Sequence, residues 1–328
     1  MYDYFMEKLV YQMFILGTGG VNNIKNFYAA LERGLGGVIF FTNDIQTENQ
    51  IVEDIKKIKQ ISSTPPFVSI DQEGGRVERT ENIRSKRLSA RNAFEQGKDF
   101  LKGQAEEISA ELANWGFNLN FAPCIDVNTN PNNPIIGERA FADNADDVVA
   151  GMDIFVNASR KYNVIPCVKH FPGHGDADKD SHLTLPNIKL TLDEMEEIHI
   201  KPFKTAVQKD IEMIMVAHLH CTCFDDDVIP TSLSENAIGY LRNELAYEGV
   251  LITDDMNMQG VQKFGSVEAC ILAIKAGVDM FIFRSSDDKT LQIIEELAAA
   301  VKQDEELKEK VKNSNQRILK LKQKYGIV

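Results

Sequence analysis

The chain has 328 residues, 43% of them hydrophobic and 26% charged, the balance of a soluble globular protein with a sizeable core. Its formal net charge of −13 repels phosphate backbones and anionic lipid, which argues against nucleic-acid and membrane partners. No apolar run approaches the roughly 18–20 residues that cross a bilayer, and the start, Met1 to Lys8, carries acids in place of the cationic segment of a secretory signal.

In chain order, short β-type runs alternate with amphipathic helical patterns. The expected strands are Gln12–Gly17, Gly37–Phe41, Phe67–Ile70, Asn118–Ala122, Val164–Lys169, Met213–Ala217, Val250–Thr253 and Asp279–Phe283. Helices are expected over Asn22–Arg33, Glu48–Gln60, Lys98–Trp115, Ala145–Tyr162, Leu192–Lys209, Leu233–Ala246 and Ser266–Ala276, with more helix after Asp287. Two helix starts carry a capping-box pattern, Thr191-Leu-Asp-Glu194 and Ser232-Leu-Ser-Glu235. Near-continuously apolar strands alternating with helices indicate a parallel sheet. Eight such units favour a closed (β/α)8 TIM-type barrel over an open sheet, with residues 1–328 as one domain. The five cysteines (124, 167, 221, 223 and 270) lack metal-ligand spacing and read as small buried hydrophobes in a reducing cytoplasm. No cofactor motif follows the first strand, where Gly17-Thr18-Gly19-Gly20 matches a phosphate loop poorly.

In a barrel, a functional site gathers at the carboxyl ends of the strands, and polar residues recur there. Strand three runs into Asp71-Gln-Glu-Gly-Gly-Arg-Val-Glu-Arg79, and strand four leads to a loop holding Gly137-Glu-Arg139-Ala-Phe141. Strand five ends in Lys169-His170-Phe-Pro-Gly-His174-Gly175-Asp176, with Asp180-Ser181-His182 close behind; strand six ends in His218 and strand seven in Asp254-Asp255. Each has a bland reading: Asp71 as a turn cap, Arg139 as an ion-pair partner, His218 as a satisfied core histidine, and Asp254-Asp255 as a helix start. Five such residues or clusters at one rim make coincidence a poor account. Acids at two strand ends with Lys and Arg between them suit a polyhydroxylated neutral ligand, gripped by charge-assisted hydrogen bonds. A carboxylate facing a second proton-transfer group is the arrangement for glycoside cleavage with retention. A histidine beside a carboxylate, as in Asp180-Ser181-His182, could supply that second group.

These motifs, with Thr253-Asp254-Asp255-Met-Asn-Met258, resemble glycoside hydrolase family 3, specifically the single-domain bacterial β-N-acetylglucosaminidases of cell-wall recycling. The resemblance covers nearly the whole chain. It implies Asp254 as nucleophile with Asp255 in support, and His182 as acid/base oriented by Asp180. It implies that Asp71, Arg79, Arg139, Lys169 and His170 hold the sugar, that His174 shapes its loop, and that His218 is a wall residue. The implied substrate is a small carbohydrate, a GlcNAc-containing muropeptide or oligosaccharide, with no metal and no cofactor. After strand eight the family's Cys-Asn-type ending is replaced by Phe283-Arg284-Ser285-Ser286. Three rivals stand beside this reading. A metal-dependent barrel hydrolase would use His218-Leu-His220 or His170 and His174. A sugar-binding protein would need the cleft without the nucleophile. A third rival stays within the family, as a phosphorylase exploiting an acid/base that does not repel phosphate or as a β-glucosidase on another β-glycoside.

Overall fold

A computed structural model describes residues 2–19, 23–177 and 185–328. Its centre is a closed barrel of eight parallel strands: β1 Phe14–Gly17, β2 Gly37–Phe40, β3 Phe67–Ile70, β4 Leu119–Asn120, β5 Ile165–Phe171, β6 Met213–Val216, β7 Val250–Asp255 and β8 Met280–Phe283. Each strand pairs with its sequence neighbours, and closure comes from β1 against β8, with Phe14 opposite Phe281. Nearly all strand residues are buried on both faces, the condition that makes parallel strands read as unbroken apolar runs.

Helix ends follow local chemistry. The helix Lys98–Trp115 stops at Gly116 (φ 99°) and Ser266–Ala276 stops at Gly277 (φ 113°), left-handed positions that suit a residue without Cβ. Side chains of Thr47, Asn144, Asp287 and Asp304 cap other helix starts by accepting backbone N–H groups. The Thr191–Glu194 capping box forms as expected. The Ser232 box does not: Ser234 caps that helix, while the Ser232 hydroxyl is bonded to the His218 ring. Two expected helices are interrupted by wider turns, at Met195–His199 and Tyr240–Glu244. The charged tail is helical over Glu305–Lys324 and covers the amino end of the barrel. There the buried Lys322 donates to Gln12 Oε1 (3.0 Å) and to the Pro65 carbonyl (2.8 Å). Asn187–Ile188 and His220–Cys221 form a small parallel pair outside the barrel, unforeseen from the sequence.

Phe281 seals the closing seam, its ring 5.2 Å from that of Phe14 and fully buried. Phe281→Ala should destabilise the barrel by about 3–5 kcal/mol through lost burial and a cavity. Denaturant titration followed by circular dichroism should show the lowered midpoint.

Candidate active site

The sequence between Asp71 and Arg79 folds back on itself because two glycines adopt left-handed backbone, Gly74 at φ 98° and Gly75 at φ 61°. A Cβ on Gly74 would sit 2.4 Å from the Leu88 carbonyl oxygen, so the close approach also demands glycine. The Gln72 side chain accepts from Arg79 N (3.0 Å), and Gln72 exchanges two hydrogen bonds with Asn120 of β4. This turn brings Asp71 and Glu73 to the barrel mouth.

There they meet β5 and the loop after β4. Lys169 Nζ lies 2.7 Å from Asp71 Oδ1 and 2.6 Å from Glu73 Oε1. Arg139 binds Glu73 through two donors, Nε at 2.9 Å and Nη2 at 2.8 Å. Arg79 stands 3.9 Å from Asp71 and over the Phe41 ring. Burial alone would raise the Glu73 carboxyl, but Arg139 and Lys169 more than reverse it and hold it far below the ordinary range. Burial would likewise lower Lys169, yet Asp71 and Glu73 raise it, so the ammonium stays charged.

Behind this network lies Asp126, fully buried. It accepts from His170 Nδ1 (2.7 Å), His170 N (3.2 Å) and His174 N (2.7 Å). His170 Nε2 lies 3.3 Å from Arg139 Nη2, and a guanidinium can only donate. The proton of a neutral His170 therefore sits on Nδ1, toward Asp126, and Nε2 accepts. The Lys169–His170 peptide is cis.

Asp254, at the end of β7, faces the same cleft. Its Oδ1 accepts from Asp255 N (2.7 Å), and its backbone carbonyl faces His218 Nε2 at 3.1 Å. Since a carbonyl only accepts, His218 carries its proton on Nε2, and a neutral ring takes the Ser232 hydroxyl proton at Nδ1 (2.7 Å). Burial pushes the Asp254 carboxyl up, but His170, His218, the Asp255 N–H and Lys169 together hold it below the usual range. Asp255 goes the other way, raised by burial and by Asp254, with its oxygens turned to Asn257 N (3.0 Å) and Arg284 Nε (3.4 Å).

The resulting cleft has a volume of about 160 Å³ and is lined by Asp71, Arg79, Arg139, Lys169, His170 and Asp254, with His174, Asp255 and Arg284. All six described residues expected at the site thus converge, and the wall residue His218 backs the cleft. Asp180 and His182 lie outside the described residues. Glu73 and Asp126 were not singled out from the sequence. The only signal available was an acid set among apolar residues in Phe121–Val127, or between Gln72 and two glycines. A wider depression of about 450 Å³ at the amino end, beside Glu212 and Lys324, gathers no comparable set.

His218 and His220, proposed above as metal ligands, are held by other bonds, His220 Nδ1 facing the Ile229 carbonyl at 3.3 Å. Among the described residues, Cys124, Asp126 and His170 bring metal-type donor atoms within 4.8 Å. The Cys124 thiol donates to Asp126 at 3.2 Å, and burial raises its pKa well above the ordinary value, so this trio reads as a hydrogen-bonded cluster.

Residues 10–321 match the model of the glycosyl hydrolase family 3 N terminal domain. The chain belongs to this family. It is 33% identical over 319 residues to beta-hexosaminidase A of Pseudoalteromonas piscicida, covering 88% of this chain and 53% of that protein. To the beta-hexosaminidase of Methylococcus capsulatus it is 29% identical, covering 80% of this chain and 79% of the relative. The structure of a family 3 beta-N-acetylglucosaminidase from Paenibacillus sp. superposes with a TM-score of 0.91 at 32% identity, over 98% of this chain and 62% of that one. This family 3 chain therefore spans about half the length of the Pseudoalteromonas relative. No helix among its described residues is long and apolar enough to cross a membrane.

The depressed carboxyl of Glu73 fixes the sign of one pH effect. Its contribution is fully present above the unfolded value of about 4.3 and is lost as pH falls toward its lower folded value. Glu73→Gln should be destabilised at pH 7 by roughly 3–5 kcal/mol, because Lys169 and Arg139 lose a shared counter-charge. On acidification below pH ~5 the wild-type and variant stabilities should approach each other. Thermal midpoints measured from pH 7 to pH 3 would refute this if the two curves ran parallel.

Proposed function

We propose that this family 3 domain is a retaining β-N-acetylglucosaminidase that removes non-reducing terminal GlcNAc from muropeptide fragments. The observation that carries the reading is Asp254: a carboxylate kept ionised at a barrel strand end, facing a charged grip suited to sugar hydroxyls. The names of the relatives support the substrate class.

In this mechanism Asp71, Lys169, Arg139, Arg79 and His170 hold the sugar hydroxyls and orient the ring. One Asp254 oxygen attacks the anomeric carbon as the bond to the leaving-group oxygen breaks, giving a glycosyl ester. Water then attacks the same carbon, the ester oxygen leaves with its electron pair, and the sugar departs with retained configuration. The proton donated to the leaving group, and later taken from water, is assigned to His182, oriented by Asp180. Asp255, bonded toward Arg284, stays out of the chemistry. The five cysteines, none in a disulfide, support a reducing cytoplasm, where soluble wall fragments rather than intact wall are the accessible substrates.

Asp254→Ala should lower turnover of 4-nitrophenyl N-acetyl-β-D-glucosaminide on the order of 10⁴–10⁶-fold, as for other nucleophile removals. A 5-fluoro glycosyl fluoride should label Asp254, and mass-spectrometric mapping to another residue would sink the assignment. His182→Ala should cost ~10²–10⁴-fold on a natural disaccharide but little in the burst from a dinitrophenyl glycoside, whose leaving group needs no proton. Asp180→Ala should give a milder form of the same pattern. Equal losses on both substrates would move the acid/base role elsewhere.

A further inference from the structure

Among the described residues, His170 and His174 are the histidines that line the cleft, and the mechanism uses only the first. The His174 backbone is pinned on both sides, N to Asp126 Oδ1 (2.7 Å) and O to Asn133 Nδ2 (2.8 Å), so the ring cannot swing freely. The residue is 2% exposed, its ring stands edge-on to His170 at 6.0 Å, and it lines the cleft, whose apolar lining includes Val77 and Ile135. Among the described residues neither Nδ1 nor Nε2 has a hydrogen-bond partner. Two unpaired polar atoms on a buried side chain are costly unless something that enters the cleft satisfies them.

We propose that His174 is a specificity-determining residue that recognises the 2-acetamido group of the sugar; this deepens the function proposed above and rests on it. An acetamide needs an apolar contact for its methyl, an acceptor for its N–H and a donor for its carbonyl. The acids around the cleft have other tasks: Asp71 faces the ring hydroxyls and Asp254 the anomeric carbon, Glu73 is bound to Arg139, and Asp255 to Asn257 and Arg284. Arg139 can only donate. A neutral imidazole offers one donor and one acceptor, and burial pulls His174 down to about 4, so it is neutral at physiological pH. Val77 and Ile135 supply the apolar wall. Elsewhere in the lining the Phe41 ring carries the Arg79 and Arg284 guanidinium groups, which can donate but cannot accept from an amide N–H.

The test compares kcat/KM on 4-nitrophenyl N-acetyl-β-D-glucosaminide and 4-nitrophenyl β-D-glucoside for wild type, His174→Leu and His174→Asn. The ratio is insensitive to a partly inactive preparation, because both substrates see the same active fraction. The wild type should favour the acetamido sugar, and His174→Leu should lower that preference by about 10–10³-fold, as expected when a site loses its hydrogen bond to a substrate group. His174→Asn, which keeps a donor and an acceptor, should recover part of it. An unchanged ratio in His174→Leu overturns the proposal and leaves the ring as a partner for buried water or for its own loop. Calorimetric titration with N-acetylglucosamine and with glucose reads the same preference without turnover. Absent cleavage with a binding preference that His174→Leu abolishes would refute the activity and keep this role; cleavage with a preference that His174→Leu retains would do the reverse.

Discussion

The alternating chain of charges Asp71–Lys169–Glu73–Arg139 is the constraint on which the barrel mouth depends. Lys169 and Glu73 are 2% and 4% exposed at the side chain, so neither could stay ionised alone in such surroundings. Each is tolerable because the next lies within hydrogen-bond reach. Such a network gives little net stability compared with an apolar core of the same volume. Its value for the proposed function lies in orientation: donors and acceptors are fixed before a ligand arrives and need no reorganisation when it does.

That network assembles only because separate backbone devices deliver its members. β3 leads into Asp71 and Glu73, the left-handed Gly74–Gly75 turn folds the chain back so that Val77 bonds to Glu73, the loop after β4 carries Arg139, and β5 carries Lys169-His170 near its end. Gly175 is a further device. A Cβ there would lie 1.7 Å from the Val127 carbonyl oxygen, so the segment after β5 can pack against the β4 loop only with glycine at this position. The two loops are then stitched together by Asn130 N to the Gly175 carbonyl (3.2 Å) and by Thr129 Oγ1 to Asp176 (3.1 Å). Asp126 extends the same fixation behind the cleft by bonding both the main chain and the ring of His170.

Much of this was legible in the residues. All eight barrel strands stand where apolar runs placed them, and the helices Lys98–Trp115 and Ser266–Ala276 have the expected bounds. Errors arose where tertiary bonding overrode local pattern. Asn118–Ala122 reads as five strand residues, but only Leu119–Asn120 pair as a strand before the chain turns at Pro123. Ser232 reads as a helix cap because Glu235 follows at the right spacing, yet its hydroxyl is taken by His218 from the end of another strand. Glu73 and Asp126 escaped notice for a related reason: their partners are distant in sequence, Arg139 and Lys169 for one and His170 for the other. Strand-end residues announce themselves by breaking an apolar run, whereas a supporting carboxylate is revealed only by what it touches.

The adjacent carboxylates Asp254 and Asp255 show how neighbouring groups in one site are driven to opposite ionisation. Their residue type alone gives no reason to treat them differently, and both are largely removed from water. Asp254 is surrounded by His170, His218, Lys169 and the Asp255 N–H, all of which favour the charged form. For Asp255, burial and then the Asp254 charge beside it disfavour the charged form, with an arginine only at 3.4 Å to oppose them. Pairs of carboxyls whose surroundings push their pKa values apart are a recurring basis for separate roles in glycoside cleavage. The first has the ionisation a nucleophile needs at neutral pH, and the second is turned by its own hydrogen bonds toward the loop after β8. The proposed role of Asp254 as nucleophile thus draws support from its surroundings as well as from its place in the motif.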